Sequence, residues 1–448
     1  MTTFPGRKSW KPRAEPPPRE AESRELKFER DDRIMPQRWR IFTILAPLLM
    51  VSLFFRISMA VSARDLSQEF GLTAAQLGVL SAIFFYVFAF AQLPLGPLLD
   101  RYGGRRTISL LGVITTLGAV TFALAPGYHV ALLGRFLLGL GTAGVFMGSL
   151  KIFTNWFTME EFPTVTGVMI AMGNLGNMLA TAPLAHAITH FGWRNTFLAA
   201  SLIQALLTLT VYTIVSDAPQ DGKVMAHAAE GTAAKVDGAI LEGWRIIFLH
   251  PTFWCTSLIA FFWYGNYMVL QSLWGGPYLM EAVGMSRGEA GNMLLLVSIG
   301  YILGSLLLGK TIDRFSGSLR KTIMTGQAIL VLVMTMMLGP AESFSRLPLM
   351  ASFFAIGLVS STGVIIYPLA RALVPHQFAA SALTGVNFFL LLGAALVQHI
   401  MGIYIEAFPR GPAGYPAQAY HGAFLIPICG LIMAIVLFGL VGKRTPGS

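Results

Sequence analysis

Long apolar stretches recur along this chain, and each is long enough to form a helix that crosses a lipid bilayer. A helix needs about 17 to 25 mainly apolar residues to span the hydrocarbon core. We predict twelve such spans, at 41–63, 76–98, 107–125, 130–154, 162–188, 194–216, 252–279, 290–311, 322–340, 347–371, 378–405 and 421–442. Because the backbone inside a bilayer must satisfy its own hydrogen bonds, spans of this length predict an all-α membrane protein with twelve transmembrane helices.

The composition agrees with a protein that lives in the lipid bilayer. Of the 448 residues, 54% are hydrophobic and only 12% are charged, which excludes an ordinary soluble enzyme. The 46 glycines favour helices that approach one another closely. The formal charge of +10 is of the kind that membrane proteins carry in their cytoplasmic loops, so we do not expect a nucleic-acid partner.

Polar segments divide the chain into four parts. Residues 1–40 are rich in Lys, Arg, Glu and Pro, which predicts a disordered basic tail. A second polar stretch, 217–251, is predicted to be a central loop between an N-terminal six-helix bundle, 41–216, and a C-terminal six-helix bundle, 252–444. Most Lys and Arg beyond residue 40 lie on the side shared by the N-terminus and this loop. The positive-inside rule therefore predicts cytoplasmic termini, in a bacterial inner membrane or a plasma membrane.

A short motif occurs once in each half of the chain. Residues 96–106, after the second span, read Gly-Pro-Leu-Leu-Asp-Arg-Tyr-Gly-Gly-Arg-Arg, and residues 309–314, after the eighth span, read Gly-Lys-Thr-Ile-Asp-Arg. Both contain Gly-x-x-x-Asp-Arg at the same place in a six-helix half. Two homologous six-helix halves with this loop resemble the major facilitator superfamily (MFS) of transporters.

The resemblance implies a gate at these loops. An aspartate at a helix end can contact the positive N-terminus of a helix from the other half when that side is closed. Span four opens with Arg135-Phe-Leu-Leu-Gly-x-Gly, which resembles a second superfamily motif, and we expect Arg135 to pair with Asp65. The alternative is that the loop charges only anchor the topology. The residues assigned to gating are Asp100, Arg101, Arg105, Asp313, Arg314, Arg135 and Asp65.

Two cations lie inside predicted spans. Arg56 is close to the middle of span one, and Lys151 is late in span four. A cation near the bilayer centre costs roughly 3 kcal/mol unless it faces a cavity or a partner. The pair therefore predicts a cavity that attracts an anion. In the structural alternative, Arg56 bonds to carbonyls of a broken helix and Lys151 extends to the membrane surface.

The same two positions resemble the organophosphate and organic-anion branches of the superfamily. Those branches have an arginine in the first helix and a basic residue in the fourth, at positions that match Arg56 and Lys151. Three other positions differ, because Gln92, Gly173 and Met268 stand where sugar-phosphate members have Lys, His and Arg. With fewer cations, a carboxylate monoanion or a zwitterion fits better than a phosphate dianion.

Polar and aromatic side chains complete the predicted site. Span seven places Tyr264, Tyr267 and Gln271 on one helical face, although such a face also suits plain packing. The predicted substrate-binding residues are Arg56, Lys151, Tyr86, Gln92, Asn174, Tyr264, Tyr267, Gln271 and Asn387.

The leading hypothesis is a secondary active transporter that moves a small organic anion or zwitterion by alternating access, acting as a monomer. We predict no enzymatic activity, because no nucleophile, base and orienting acid group together in the spans. No cofactor, catalytic residue or metal site is predicted, and the ATP-binding motif Gly-x-x-x-x-Gly-Lys-Ser/Thr does not occur in the sequence.

Two other functions and the mode of coupling stay open. Proton-coupled efflux of metabolites or drugs is disfavoured, because 173–177 reads Gly-Asn-Leu-Gly-Asn where efflux members carry Gly-Pro-x-x-Gly-Gly. The other alternative is a membrane sensor with a transporter fold. Acidic residues occur only near the ends of the predicted spans, so anion exchange with a counter-substrate and symport with a proton are both open.

Overall fold

Helices dominate the structure, which is a computed structural model. The described residues are 18–158, 160–219, 248–314, 318–373, 379–412 and 414–441, with side chains from residue 37 onward except those of Pro163, Asp313 and residues 379–381. Within these ranges, strand-like pairing is limited to one isolated bridge in the loop before the last helix. Most of the predicted central loop and the start of the predicted tail lie outside the described residues.

The first half of the chain forms seven helices. They are α1 (Pro18–Ile57), α2 (Met59–Phe70), α3 (Ala74–Ala123), α4 (Tyr128–Thr142), α5 (Val145–Trp156), α6 (Phe162–Leu179) and α7 (Ala182–Ile214). Gly103 divides α3 and Gly192 divides α7, each with a positive φ that favours glycine, at 80° and 75°. These two turns lie between the predicted spans two and three, and five and six.

The second half begins with α8 (Pro251–Met268), which continues through π-helical turns at Val269–Trp274 and Tyr278–Ala282 around the one-turn helix Gly275–Pro277. The later helices are α9 (Arg287–Arg314), α10 (Leu319–Met334) with the 3-10 turn Thr335–Leu338, the short helix Pro340–Ser343, α11 (Arg346–Ser360), the 3-10 turn Ser361–Ile365, α12 (Ile366–Ala372), α13 (Ala379–Glu406) and α14 (Ala417–Val441).

The length and composition of these helices match a membrane-embedded chain. Nine helical stretches of the described part are long and apolar enough to cross a bilayer, and Ala74–Ala123 and Ala182–Ile214 each contain a glycine turn. Large apolar side chains such as Leu202 and Leu306 are 62% and 76% exposed, as expected for residues that face lipid. The prediction of an all-α membrane protein is confirmed, while the count of twelve crossings stays a prediction.

The first span differs from its predicted form in two ways. The helix α1 begins at Pro18, so part of the segment predicted to be a disordered tail is helical. Glu and Arg are frequent there, and these straight-chain residues lose little freedom in a helix. The span is also interrupted at Ser58, where α1 ends and α2 begins.

The two halves pack closely at the end of the bundle that we call the far side, opposite the side where α1 enters and α14 leaves, which we call the terminal side. A Cβ on Gly276 would lie 1.7 Å from the Ala60 carbonyl oxygen, so the π-helical part of span seven contacts α2 without a side chain between them. The Ser81 hydroxyl donates to the Gln398 side chain at 2.6 Å, which joins α3 to α13. The described parts of the two halves are therefore in close contact on the far side.

Candidate functional site

Arg56 lies between the two halves, close to the break in the first span. Its Nη1 atom is 3.5 Å from the Tyr264 hydroxyl of the second half, and its guanidinium carbon lies 4.6 Å from the centre of the Phe88 ring. The Nε atom is buried without a hydrogen-bond partner among the described residues. A guanidinium that stacks on one ring and makes one long hydrogen bond still has donors available for an anion.

A group of tyrosines from the second half faces Arg56. Tyr264 and Tyr267 lie on α8 with ring centres 6.2 Å apart, and Tyr267 stacks on Tyr301 of α9 at 5.1 Å. The Tyr367 hydroxyl of α12 donates to Asn387 Oδ1 of α13 at 2.9 Å. Tyr301 and Tyr367 lie near Tyr264. We call Tyr264, Tyr267, Tyr301, Tyr367 and Asn387 the tyrosine cluster.

Four of the predicted substrate-binding residues thus come together. Arg56 contacts the tyrosine cluster, which contains the predicted residues Tyr264, Tyr267 and Asn387. The prediction did not include Phe88, Tyr301 or Tyr367. The only signal for Tyr301 in the sequence was a single aromatic residue in an apolar helix. Such a residue more often packs against other helices than lines a binding site. The position of Tyr301 in the cluster is therefore evident only from the packing of α8 against α9.

Lys151 lies elsewhere. Its Nζ atom pairs with Asp100 Oδ1 at 2.7 Å, with side chains 44% and 71% exposed, at the terminal side of the first half. The geometry does not support the predicted contact of Lys151 with substrate, because α5 brings it to the loop after span two rather than to Arg56. The pair instead joins Lys151 to a residue that was assigned to gating.

Other predicted binding residues make contacts inside one half. Gln92 donates to the Ala143 carbonyl at 3.0 Å, at the break between α4 and α5. Asn174 donates to the Ile170 carbonyl at 3.1 Å. Gln271 is fully buried and donates to the Ser298 hydroxyl at 2.6 Å, so it packs span seven against α9. Tyr86 is partly buried against the core. These contacts differ from the predicted lining roles, since Gln92 and Gln271 satisfy neighbouring helices and Asn174 satisfies its own helix.

The predicted pairing of Arg135 with Asp65 is wrong. Arg135 is fully buried and donates to the carbonyls of Phe55 and Leu80, at 2.9 and 3.3 Å. Asp65 instead accepts from Arg287 of the second half at 2.6 Å. The interruption of the first span at Ser58 provides Arg135 with a carbonyl partner, and Asp65 lies beyond it at the far side.

The remaining residues assigned to gating lie at the terminal side. Arg105 donates through its backbone to Asp217 at 2.8 Å and through its side chain to the Tyr212 carbonyl at 2.6 Å. Arg101 is exposed and stacks on Tyr102 at 5.3 Å. Arg314 is exposed at the end of α9. The side chain of Asp313 lies outside the described residues. In the first half, these contacts tie the motif loop to the end of α7.

Two bundles of membrane helices with a central cation between them define a membrane transport protein by class. Residues 43–275 and 270–448 each match the family model described as Major Facilitator Superfamily. The chain belongs to the major facilitator superfamily. The members of this family are transporters rather than enzymes, and the resemblance drawn from the two loop motifs is confirmed.

Several known proteins are similar to this chain in sequence. The probable sulfoacetate transporter SauU of Cupriavidus necator is 25% identical, over 63% of this chain and 67% of that protein. The membrane sensor protein UhpC of Escherichia coli is 24% identical, over 94% of this chain and 96% of that protein. The stretches matched in the first four curated relatives run from 40% to 96% of their own length.

A solved structure has the same overall fold. It is a bacterial homologue of the human lysosomal transporter Spinster in an inward-facing, unoccupied conformation. It has a TM-score of 0.74 and 19% identity, and the match covers 92% of this chain and 99% of that chain.

Proposed function

We propose that this protein is a secondary transporter of small organic anions whose carboxylate or sulfonate group binds to Arg56. The observation that carries the proposal is a guanidinium held between the two halves, with one long hydrogen bond to Tyr264 and an Nε atom that has no partner among the described residues. A planar guanidinium binds a carboxylate through two parallel hydrogen bonds. The similarity to a probable sulfoacetate transporter supports an anionic substrate.

The tyrosine cluster suggests what the rest of the substrate carries. Phenol hydroxyls and the Asn387 amide both donate and accept hydrogen bonds, and the members of the tyrosine cluster all come from the second half. A substrate with hydroxyl groups several bonds away from its carboxylate would satisfy them. We therefore propose hydroxylated carboxylates, with the sugar acid D-gluconate as the first probe and sulfoacetate as the second.

The structure supports an alternating-access cycle captured in one state. The halves are joined on the far side by Asp65 and Arg287 and by the contact of Gly276 with Ala60. At the terminal side, Asp100 pairs with Lys151 of its own half. We propose that this state is open toward the terminal side, as in the inward-facing structure with the same fold. The halves at 41–216 and 252–444 would then move against each other, with the termini in the cytoplasm.

The test is transport and binding by purified full-length protein. D-Gluconate, sulfoacetate and the zwitterion glycine betaine are compared for uptake into proteoliposomes and for thermal stabilisation. Arg56→Gln should abolish anion binding while the protein stays as heat-stable as the wild type, because a costly charge has been removed. Arg56→Lys should rescue binding only in part, since an ammonium lacks the planar fork.

Arg346→Gln is the matched control, because Arg346 is an exposed arginine at the far side that pairs with Glu289. It should bind and transport like the wild type. A destabilised Arg56→Gln that still binds its anion would show that Arg56 has a structural role, and the anion site would be abandoned. Uptake that responds to an imposed pH gradient would indicate proton symport, whereas dependence on an internal anion would indicate exchange.

A membrane sensor is the second candidate, and the specific observation in its favour is the similarity to UhpC over 94% of the chain. A sensor would bind the anion at Arg56 without net transport. Tight binding of D-gluconate or sulfoacetate, together with uptake no faster than in empty vesicles, would favour this function.

A further inference from the structure

Arg135 and Arg56 lie at the two ends of one stack of side chains. The guanidinium carbon of Arg135 lies 4.8 Å from the centre of the Phe84 ring, and Phe84 stacks on Phe88 at 6.1 Å with an interplanar angle of 24°. Phe88 in turn carries the guanidinium of Arg56 at 4.6 Å. Phe84 and Phe88 are one helical turn apart on α3, so the helix itself sets the spacing of the two rings.

A second connection runs through the backbone. Arg135 donates from Nη1 to the carbonyl of Phe55, the residue directly before Arg56, at 2.9 Å. The same carbonyl accepts from the Ser58 hydroxyl at 3.1 Å, at the point where α1 ends. Arg135 thus supports the interrupted end of the helix from which Arg56 extends.

Burying the charged guanidinium of Arg135 costs free energy, which suggests that it is retained for a role. Arg135 and Phe84 are fully buried, and Arg135 Nη2 has no hydrogen-bond partner among the described residues. A buried guanidinium bound to carbonyls rather than to an acid keeps its positive charge uncompensated. We infer that Arg135 is a positioning residue, which holds the Arg56 guanidinium over the Phe88 ring with its Nη1 atom beside Tyr264 of the tyrosine cluster.

This inference rests on the proposed function of Arg56 as the anion-binding residue. Arg135 itself does not contact the substrate. Its effect reaches Arg56 through the Phe55 carbonyl and through the two phenylalanine rings. Because a small displacement of a binding group weakens a directional contact strongly, loss of the stack should lower anion affinity by about tenfold.

The test uses full-length protein in lipid nanodiscs, labelled with 15N at arginine. The side-chain Nε–H signal of Arg56 is the one that disappears in Arg56→Gln. In Phe84→Leu, which leaves both arginines in place, this signal should shift or broaden, and the affinity for D-gluconate should fall about tenfold. Arg135→Lys keeps the charge but has no planar guanidinium to lie over Phe84, and it should change both readouts in the same direction.

Phe153→Leu is the matched control. Phe153 is also fully buried, in α5, but it packs against Phe42 and Phe157, toward the terminal side. It should lower the melting temperature about as much as Phe84→Leu while the Arg56 signal and the affinity stay at wild-type values. An Arg56 signal and a D-gluconate affinity unchanged in both Phe84→Leu and Arg135→Lys would overturn the inference.

The two proposals can fail separately. If the wild-type protein binds neither D-gluconate nor sulfoacetate, the proposed substrate class is wrong, and the Arg56 signal alone decides whether Arg135 positions Arg56. If the wild type binds both anions but the Arg56 signal is unchanged in Phe84→Leu and Arg135→Lys, the positioning role of Arg135 is wrong. The proposal that Arg56 binds the anion is then unaffected.

Discussion

Several charged side chains in the described part of this protein are held by backbone groups rather than by opposite charges. Arg135 bonds to two carbonyls, and Arg105 bonds to the Tyr212 carbonyl. The Phe55 and Tyr212 carbonyls lie near the break at Ser58 and near the end of α7, where helical donors are missing, whereas Leu80 lies inside α3. A cation inside a predicted span is therefore no proof of an anion site. Arg56 differs from Arg135 because its nearest polar neighbour is a hydroxyl of the other half.

One residue-scale prediction concerns the loop before α6. Glu161 Oε2 accepts from the Thr158 backbone N–H at 3.1 Å and from Arg38 Nη1 at 3.0 Å. The Thr158 backbone hydrogen bond, followed by the Arg38 charge, lowers the pKa of Glu161 below its usual value of 4.5. A lowered pKa in the folded state adds stability above the unfolded value, and this stability is lost as the pH falls through the folded pKa.

Glu161→Gln should therefore melt at a lower temperature than the wild type at pH 7, and the difference should shrink as the pH falls below about 4.5. Melting curves of both proteins between pH 3 and pH 8 measure this. Glu160→Gln is the control, because Glu160 is the exposed neighbouring carboxylate. A difference that stays constant across the range would exclude a role for ionised Glu161.

At the scale of elements, the interruptions of helices coincide with the positions where function is proposed. The break at Ser58, the glycine turn at Gly103 and the π-helical turns of span seven all lie where function is proposed. The Gly275–Pro277 turn of span seven serves packing. Gly276 there approaches the Ala60 carbonyl directly, so a side chain would separate the two halves.

The ion pair between α2 and α9 gives a prediction for this interface. Asp65 and Arg287 are 24% and 20% exposed and join the halves at the far side. Asp65→Asn should weaken far-side closure by about 1 kcal/mol, and therefore raise the population open to the far side about fivefold. Distances between spin labels at His190→Cys and Leu347→Cys, with Cys255 and Cys429 replaced by Ser, report that population.

A similar ion pair within one half provides the control. Arg194 Nη2 pairs with Glu69 Oε1 at 2.6 Å, also at the far side, but both residues belong to the first half. Glu69→Gln should leave the label distance unchanged. Equal effects of Asp65→Asn and Glu69→Gln would mean that the Asp65 pair only adds stability and does not hold the halves together.

At the scale of the whole molecule, we propose that the pair of Asp100 with Lys151 belongs to one state of the proposed alternating-access cycle. Asp100 is bound by its own half here, and the family resemblance implies that it contacts the other half when the terminal side closes. Lys151→Gln should release Asp100 and favour closure, whereas Asp100→Asn should disfavour it. Both should slow transport, and neither should change D-gluconate affinity by more than about twofold, because both side chains are away from Arg56.

Spin labels at Thr158→Cys and Lys310→Cys, which are exposed on the terminal side of the two halves, measure closure. The distance should shorten in Lys151→Gln and lengthen or stay constant in Asp100→Asn. A Lys151→Gln variant with unchanged distances and weakened D-gluconate binding would restore Lys151 to the substrate site that the sequence predicted for it.

Hydropathy alone was enough to predict the class of the fold. An apolar run of about 20 residues in a bilayer satisfies its backbone N–H and C=O groups by forming a helix, because the hydrocarbon core offers them no water. The repeated Gly-x-x-x-Asp-Arg loop then identified the family, and the cost of a buried cation identified Arg56. These inferences depend on segments or on single residues, so they need no knowledge of which helices are neighbours.

The partners of charged and polar residues were decided only by the tertiary structure. Asp65 binds Arg287 rather than Arg135, and Lys151 binds Asp100 rather than the cavity. Tyr301 and Tyr367 join the site because α9 and α12 bring them beside Tyr264. Hydropathy periodicity fixes neither the rotation of a helix about its axis nor its neighbour, since many faces of a membrane helix are equally apolar. Those choices come from close packing at small residues and from the break at Ser58, which only the assembled bundle specifies.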